Sequence, residues 1–176
     1  MRDLRRYVQN RNGIADHTRE MLKVALRAAW RSDRPVLLIA HSMGSVIAFE
    51  SLLQMSLDEH DEFSLDLFLS MGSPLGQRYV QRHLLGHDSK GAGRYPANIR
   101  RWVNLAAAGD MTAIDPRLAD DYRAMLDLGL VASIEDIEVY NWFRMDGKLN
   151  VHAEYGYLLN EITAAVVTEW WRRQRA

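Results

Sequence analysis

Ser42 stands between two kinds of apolar pattern. Before it, Val36-Leu37-Leu38-Ile39-Ala40 is a continuous apolar run, the mark of a strand buried on both faces near the centre of a parallel sheet. After it, Val46, Ile47, Phe49, Leu52 and Leu53 recur at helical spacing, giving a helix from Ser45 to about Met55. A serine in the sharp turn between them, with small Ala40 and Gly44 two residues to either side, is pushed clear of the sheet. A serine hydroxyl is a weak nucleophile, so it needs an adjacent base and backbone N–H groups for the oxyanion it generates. The N–H of Met43, at the start of the helix, points toward that charge and is reinforced by the helix dipole. The plainer alternative is a serine that only caps the helix.

Partners for Ser42 must come from elements that end at the same place. Apolar spacing gives a helix over Asp16–Arg31, closed by Asp33-Arg34-Pro35, and helices over Pro116–Leu128 and Glu154–Trp171. Strands are read over Leu65–Met71, Arg101–Ala106 and Ile134–Trp142, the last alternating partly, as an edge strand does. Strands alternating with helical segments imply βαβ crossovers and a parallel sheet, whose chemistry collects at the carboxyl ends of the strands. Gly109-Asp110-Met111-Thr112 follows the third strand and His152 follows the fourth. Asp110 is alternatively a turn residue or cap, with Asp115 a rival acid before Pro116, and His152 is alternatively a helix cap. His41 precedes the serine on a strand whose neighbouring side chains point to opposite faces, so it is expected to pack or bond locally. His17, His60, His83 and His87 lie away from the strand ends.

The Ala40-His41-Ser42-Met43-Gly44 turn resembles the G-x-S-x-G nucleophile turn of the α/β-hydrolases, with Ala40 for the first glycine, and Ser42, Asp110 and His152 follow that family's chain order. The resemblance implies an α/β fold with a mostly parallel sheet flanked by helices. It also implies a serine esterase or lipase-like enzyme in which His152 is the base, Asp110 orients it and the Met43 N–H binds the oxyanion. The family has about eight strands with the serine after the fifth, whereas about 35 residues precede this strand. An N-terminally shortened sheet is therefore expected, without the loop that donates the second oxyanion N–H, and with an open apolar edge suited to a homo-oligomer. Phe68 to Gly76, FLSMGSPLG, is similar to the family segment after the sixth strand, and Met71–Ser73 is a candidate second donor. Residues 76–98 occupy the place of a lid, where Tyr79, Leu84, Leu85 and Tyr95 would contact an acyl chain, and His41 would sit beside it. The substrate class so implied is a small-molecule acyl ester. The same triad serves thioesterases, amidases and acyltransferases, and a shortened sheet also fits a non-catalytic binding or oligomerisation module.

The bulk numbers limit the remaining possibilities. A chain of 176 residues with 48% apolar content suits one domain over 1–176. A net charge of −1 gives no support to nucleic-acid binding, and the absence of cysteine excludes disulfides and thiolate chemistry. His83 and His87 have H-x-x-x-H spacing, but Gly86 lies between them and the glutamate of H-E-x-x-H is missing. No metal or other cofactor is expected. The apolar runs are too short for an integral membrane span, and no secretion-signal core marks the first twenty residues, so a cytoplasmic location is expected.

Overall fold

The computed structural model describes residues 2–32, 34–58 and 64–175; His60 lies outside them. In chain order the elements are α1 (Arg2–Val8), α2 (Ile14–Trp30), β1 (Leu37–His41), α3 (Met43–Asp58), β2 (Leu65–Met71), α4 (Arg78–Gln81) and β3 (Ile99–Ala107). They continue as α5 (Leu118–Asp121), α6 (Arg123–Asp127), β4 (Ser133–Val139), β5 (Arg144–Met145), β6 (Lys148–Leu149), α7 (Glu154–Leu158) and α8 (Glu161–Arg173).

Four strands pair in parallel in the order β1-β2-β3-β4. Right-handed crossovers that each add the next strand on the same side leave the first strand at an edge. The apolar character of the Val36–Ala40 run taken alone suggests a central strand, whereas the shortened sheet expected from the family resemblance leaves it an open edge, and the edge position is the one observed. The strand lies at the sheet margin rather than the centre, and Ile39 is 37% exposed. A run of apolar residues encodes low polarity, not how many neighbours a strand will have.

Alternate residues feed two cores. Phe68 and Trp102 pack with Val46, Phe49 and Leu52 of α3, Leu26 and Trp30 of α2, and Tyr122. Leu67, Leu69, Val103 and Leu105 face the other way, onto Ile162, Val166, Val167 and Trp170 of α8. The helices before the last strand thus cover one face and α8 covers the other. Among the described residues no helix is long and apolar enough to cross a membrane.

The helix expected over Pro116–Leu128 breaks in two at Tyr122. Its ring is wedged against Phe49 and Trp102, and its hydroxyl donates to the Leu75 carbonyl, which takes the backbone out of helical geometry. The helix expected over Glu154–Trp171 also divides, because the Asn160 side chain accepts from the Ile162 N–H and starts α8 afresh. The β5–β6 hairpin was not anticipated. It turns on Asp146 and Gly147, both at positive φ, the Asp-Gly pairing that two-residue hairpins favour.

Residues 76–98 are tied to the core. Leu84 is buried, and the Leu85 N–H donates to Glu50 Oε1 at 2.9 Å. The other oxygen of this buried carboxylate accepts from the Tyr7 hydroxyl at 2.6 Å and from Arg19 Nη1 at 2.7 Å. Glu50 therefore joins α1, α2, α3 and the following connection, and its removal takes from the buried Arg19 guanidinium its one buried carboxylate, leaving it the largely exposed Asp16 and the Tyr7 hydroxyl. Glu50→Ala is expected to cost about 3–5 kcal/mol of stability, read from denaturant unfolding. A loss below about 1 kcal/mol would show that Arg19 is satisfied without it.

Candidate active site

β1 ends at His41 and α3 begins at Met43, so the whole change of direction falls on Ser42. Its φ of 53° is left-handed, a conformation costing a non-glycine residue on the order of 1 kcal/mol or more. Local bonds hold it there. The Ser42 N–H donates to the Met71 carbonyl at 2.9 Å, which ties the turn to the end of β2. Ser45 Oγ donates to the Ser42 carbonyl at 2.6 Å and lies 2.7 Å from Ser73 Oγ, which in turn accepts from the Leu75 N–H. The crowding expected at Gly44 is not found. A Cβ there would meet no atom within 4 Å, because this side of the first turn of α3 is uncovered.

Ser42 Oγ lies 2.9 Å from His152 Nε2, and His152 Nδ1 lies 2.9 Å from Asp110 Oδ2. Asp110 leaves the end of β3 through Gly109, whose φ is +82°, and its N–H returns to the Ala107 carbonyl. Its side chain is completely buried. Burial alone would raise the pKa of this carboxyl. Hydrogen bonds from His152, from the Tyr157 hydroxyl at 2.7 Å and from the Thr112 N–H at 2.8 Å outweigh burial and hold it below its ordinary value. Asp115 lies elsewhere, accepting from the Arg117 N–H.

Tyr157 was not identified from sequence. Fully buried on α7, its hydroxyl donates to Asp110 Oδ2 and accepts from the Ala107 N–H at 2.8 Å. Burial and the neighbouring carboxylate push its own pKa up, so it stays a donor. Gly72 makes room for the pair. A Cβ there would sit 2.9 Å from Asp110 Oδ2 and 3.2 Å from the Tyr157 hydroxyl, and its φ of +54° also favours glycine.

His41 packs against His152 and Tyr157. Its ring centroid is 4.7 Å from that of His152 and 5.6 Å from that of Tyr157. Burial, and then the adjacent His152, lower its pKa. Met43 is the first residue of α3, where an N–H has no acceptor within the helix. Gly72 does not supply a second donor, since its N–H is spent on the Leu105 carbonyl at 2.9 Å.

The four residues expected to contact an acyl chain are not brought to Ser42. Tyr79 packs at a tilt against the His83 ring at the surface, and Leu84 is buried in the core beside α3. Leu85 and Tyr95 line a cavity of about 40 Å³ with Phe49, Arg94 and Tyr122, in which no part of the Ser42, His152 and Asp110 set takes part. The segment folds down along α3, drawn there by Glu50, instead of across the strand ends. In the loop that follows Asp110, Met111 is 73% exposed and Ile114 is 61% exposed.

Residues 15–87 match the family model described as lecithin:cholesterol acyltransferase, an acyl-transferring family of the α/β-hydrolase superfamily. That span runs from α2 through the Ser42 turn to the segment after α4, and Asp110 and His152 lie beyond it. Searches of curated proteins and of solved structures returned no match. The four-stranded parallel sheet with helices on both faces is an α/β-hydrolase-like architecture.

Proposed function

We propose that this chain is a serine hydrolase that cleaves carboxylic esters through a Ser42 acyl-enzyme. The observation that carries the reading is the unbroken line from Ser42 Oγ through both ring nitrogens of His152 to Asp110 Oδ2. With ionised Asp110 accepting at Nδ1, that nitrogen holds the ring proton, and the Nε2 lone pair faces the serine hydroxyl. Ser42 Oγ attacks the ester carbonyl carbon as its proton passes to Nε2. The carbonyl becomes an oxyanion beside the Met43 N–H, at the positive end of α3. Collapse of this intermediate breaks the ester C–O bond, and His152 returns the proton to the departing alkoxide. Water then adds to the acyl carbon, giving up its proton to Nε2, and release of the acid restores Ser42. The exposed Met111 and Ile114 beside Asp110 suit an apolar acyl group.

A second reading keeps the same acyl-enzyme and replaces water with an alcohol. The match of residues 15–87 to an acyltransferase family favours considering it. Added alcohol separates the two, since transfer yields a new ester whereas hydrolysis yields only acid.

Incubation with a fluorophosphonate is expected to add one adduct by intact mass, abolished by Ser42→Ala and reduced at least about a thousandfold in rate by His152→Ala. A folded wild-type chain that takes no adduct would overturn the reading and leave a binding module in its place.

The low pKa of Asp110 has a definite sign in stability. Its folded value lies below the unfolded value of about 3.9, so the contribution is present above that pH and is lost as pH falls through the folded value. Tyr157→Phe removes one donor to the carboxylate. Its destabilisation is expected to reach about 1.5–3 kcal/mol near neutral pH and to shrink below about pH 4 toward the part due to the Ala107 N–H. Unfolding at several pH values measures the gap, and a gap that does not change with pH would remove the link to Asp110.

A further inference from the structure

His152 has a demanding position on a weakly supported segment. It lies in the short stretch between β6 and α7, with its side chain one third exposed, and its N–H bonds only to Asn150 of the same stretch. A bond inside the segment moves with the segment and cannot fix it to the sheet. Yet a misplacement of about 1 Å at a catalytic group costs on the order of a hundredfold in rate.

We propose that Asn141 is the positioning residue that clamps His152 over Ser42, and that residue 156 is glycine in order to seat that clamp. The proposal rests on the reading of His152 as the base.

Asn141 lies just past the end of β4 and is 3% exposed. Its Nδ2 donates to the Val151 carbonyl and to the Ala153 carbonyl, each at 2.9 Å. Both amide hydrogens are thus spent on the two residues that flank His152. Its Oδ1 accepts from the Phe143 N–H at 3.0 Å. Two carbonyls on one side and an N–H on the other leave a single sensible orientation for the amide. The sheet end thereby holds the peptide units on either side of His152, and two bonds fix both position and rotation where one would leave a pivot.

Gly156 supplies independent support. Its φ is not in the left-handed region, so backbone conformation does not call for glycine, and alanine is the better helix former within α7. Space calls for it instead. A Cβ at 156 would lie 1.7 Å from Asn141 Oδ1, 2.3 Å from its Cγ and 2.6 Å from its Nδ2. The side chain absent at 156 and the side chain present at 141 thus occupy one volume.

The alternative role for Asn141 is the local one of accepting from Phe143 to shape the chain after β4. Aspartate separates the two. Asn141→Asp keeps the acceptor and the shape but turns an oxygen toward two carbonyl oxygens. The local role predicts near wild-type behaviour, and the clamp predicts failure. The measurements are the fluorophosphonate rate constant of Ser42, and kcat and KM on p-nitrophenyl butyrate, normalised to folded protein by near-UV circular dichroism. Asn141→Ala, Asn141→Asp and Gly156→Ala are each expected to lower the labelling rate and kcat about tenfold to a hundredfold with KM within about threefold. In the Asn141→Ala background the new methyl of Gly156→Ala enters vacated space, so the second substitution adds little and the cycle is strongly non-additive. If Asn141→Ala does not fold, the comparison of Asn141→Asp with wild type decides alone.

Wild-type rates in folded Asn141→Asp, or additive losses in the cycle, would overturn the clamp. A wild-type chain that takes no label, or one labelled equally well as His152→Ala, would overturn the reading beneath it instead.

Discussion

A carboxylate shut off from water is tolerated only where donors surround it, and the fully buried Asp110 side chain places that demand on its whole neighbourhood. The donors come from separate parts of the chain: the Thr112 N–H from its own loop, His152 from the stretch before α7, and the Tyr157 hydroxyl from α7 itself. Tyr157 is held in turn by the Ala107 N–H, at the last residue of β3. One charge therefore fixes where α7 docks, how the His152 segment approaches, and why residue 72 has no side chain. Each donor lost would let burial raise the carboxyl's pKa and weaken its hold as the ionised partner of the imidazole.

The sheet makes that convergence possible. Parallel strands all finish at the same edge, so the turns after β1, β2, β3 and β4 bring together residues as distant in the chain as Ser42 and His152. The same topology has a cost at β1. Successive crossovers to one side leave it at the margin, with Ile39 partly exposed and the turn around Gly44 uncovered. The Met71–Ser73 backbone does not compensate by supplying a further oxyanion donor through Gly72, whose N–H completes the ladder to β3. The Met43 N–H, at the positive end of α3, remains the donor expected for the proposed oxyanion.

Sequence revealed what depends on local pattern. Strand β2 has the limits that its apolar run indicates, and the positions after the third and fourth strands directed attention to Asp110 and His152, which the structure brings to hydrogen-bonding distance of one another and of Ser42. What depends on three-dimensional packing was not legible. The run before Ser42 looks the same whether its strand is central or marginal. Tyr122 looks like an ordinary helical residue until its ring is seen among Phe49 and Trp102. Leu84 and Leu85 looked available to substrate because nothing in their own segment discloses that Glu50 draws that segment down along α3. Tyr157 and Asn141 belong to no motif; the contacts of Tyr157 are with Ala107 and Asp110, far away in the chain, and those of Asn141 depend on how the β5–β6 hairpin folds back. The Asp146-Gly147 turn is different, since an Asp-Gly pair is itself a local hairpin signal in the sequence.

The two adjacent histidines illustrate how packing sorts residues of one type into different roles. In the proposed reaction His152 becomes a cation while Ser42 gives up its proton, and a positive charge on His41, whose ring centroid is 4.7 Å away, would oppose that step. Burial lowers the pKa of His41, and the proximity of His152 lowers it further, which biases His41 toward the neutral ring that the proposed step needs. Asp110 has the opposite bias, its donors keeping it ionised against the effect of burial. The imidazolium therefore forms between a neutral ring and a fixed negative charge. Neither condition comes from Ser42, His152 and Asp110 by themselves; both come from how closely β1, the loop after β3 and α7 pack around them.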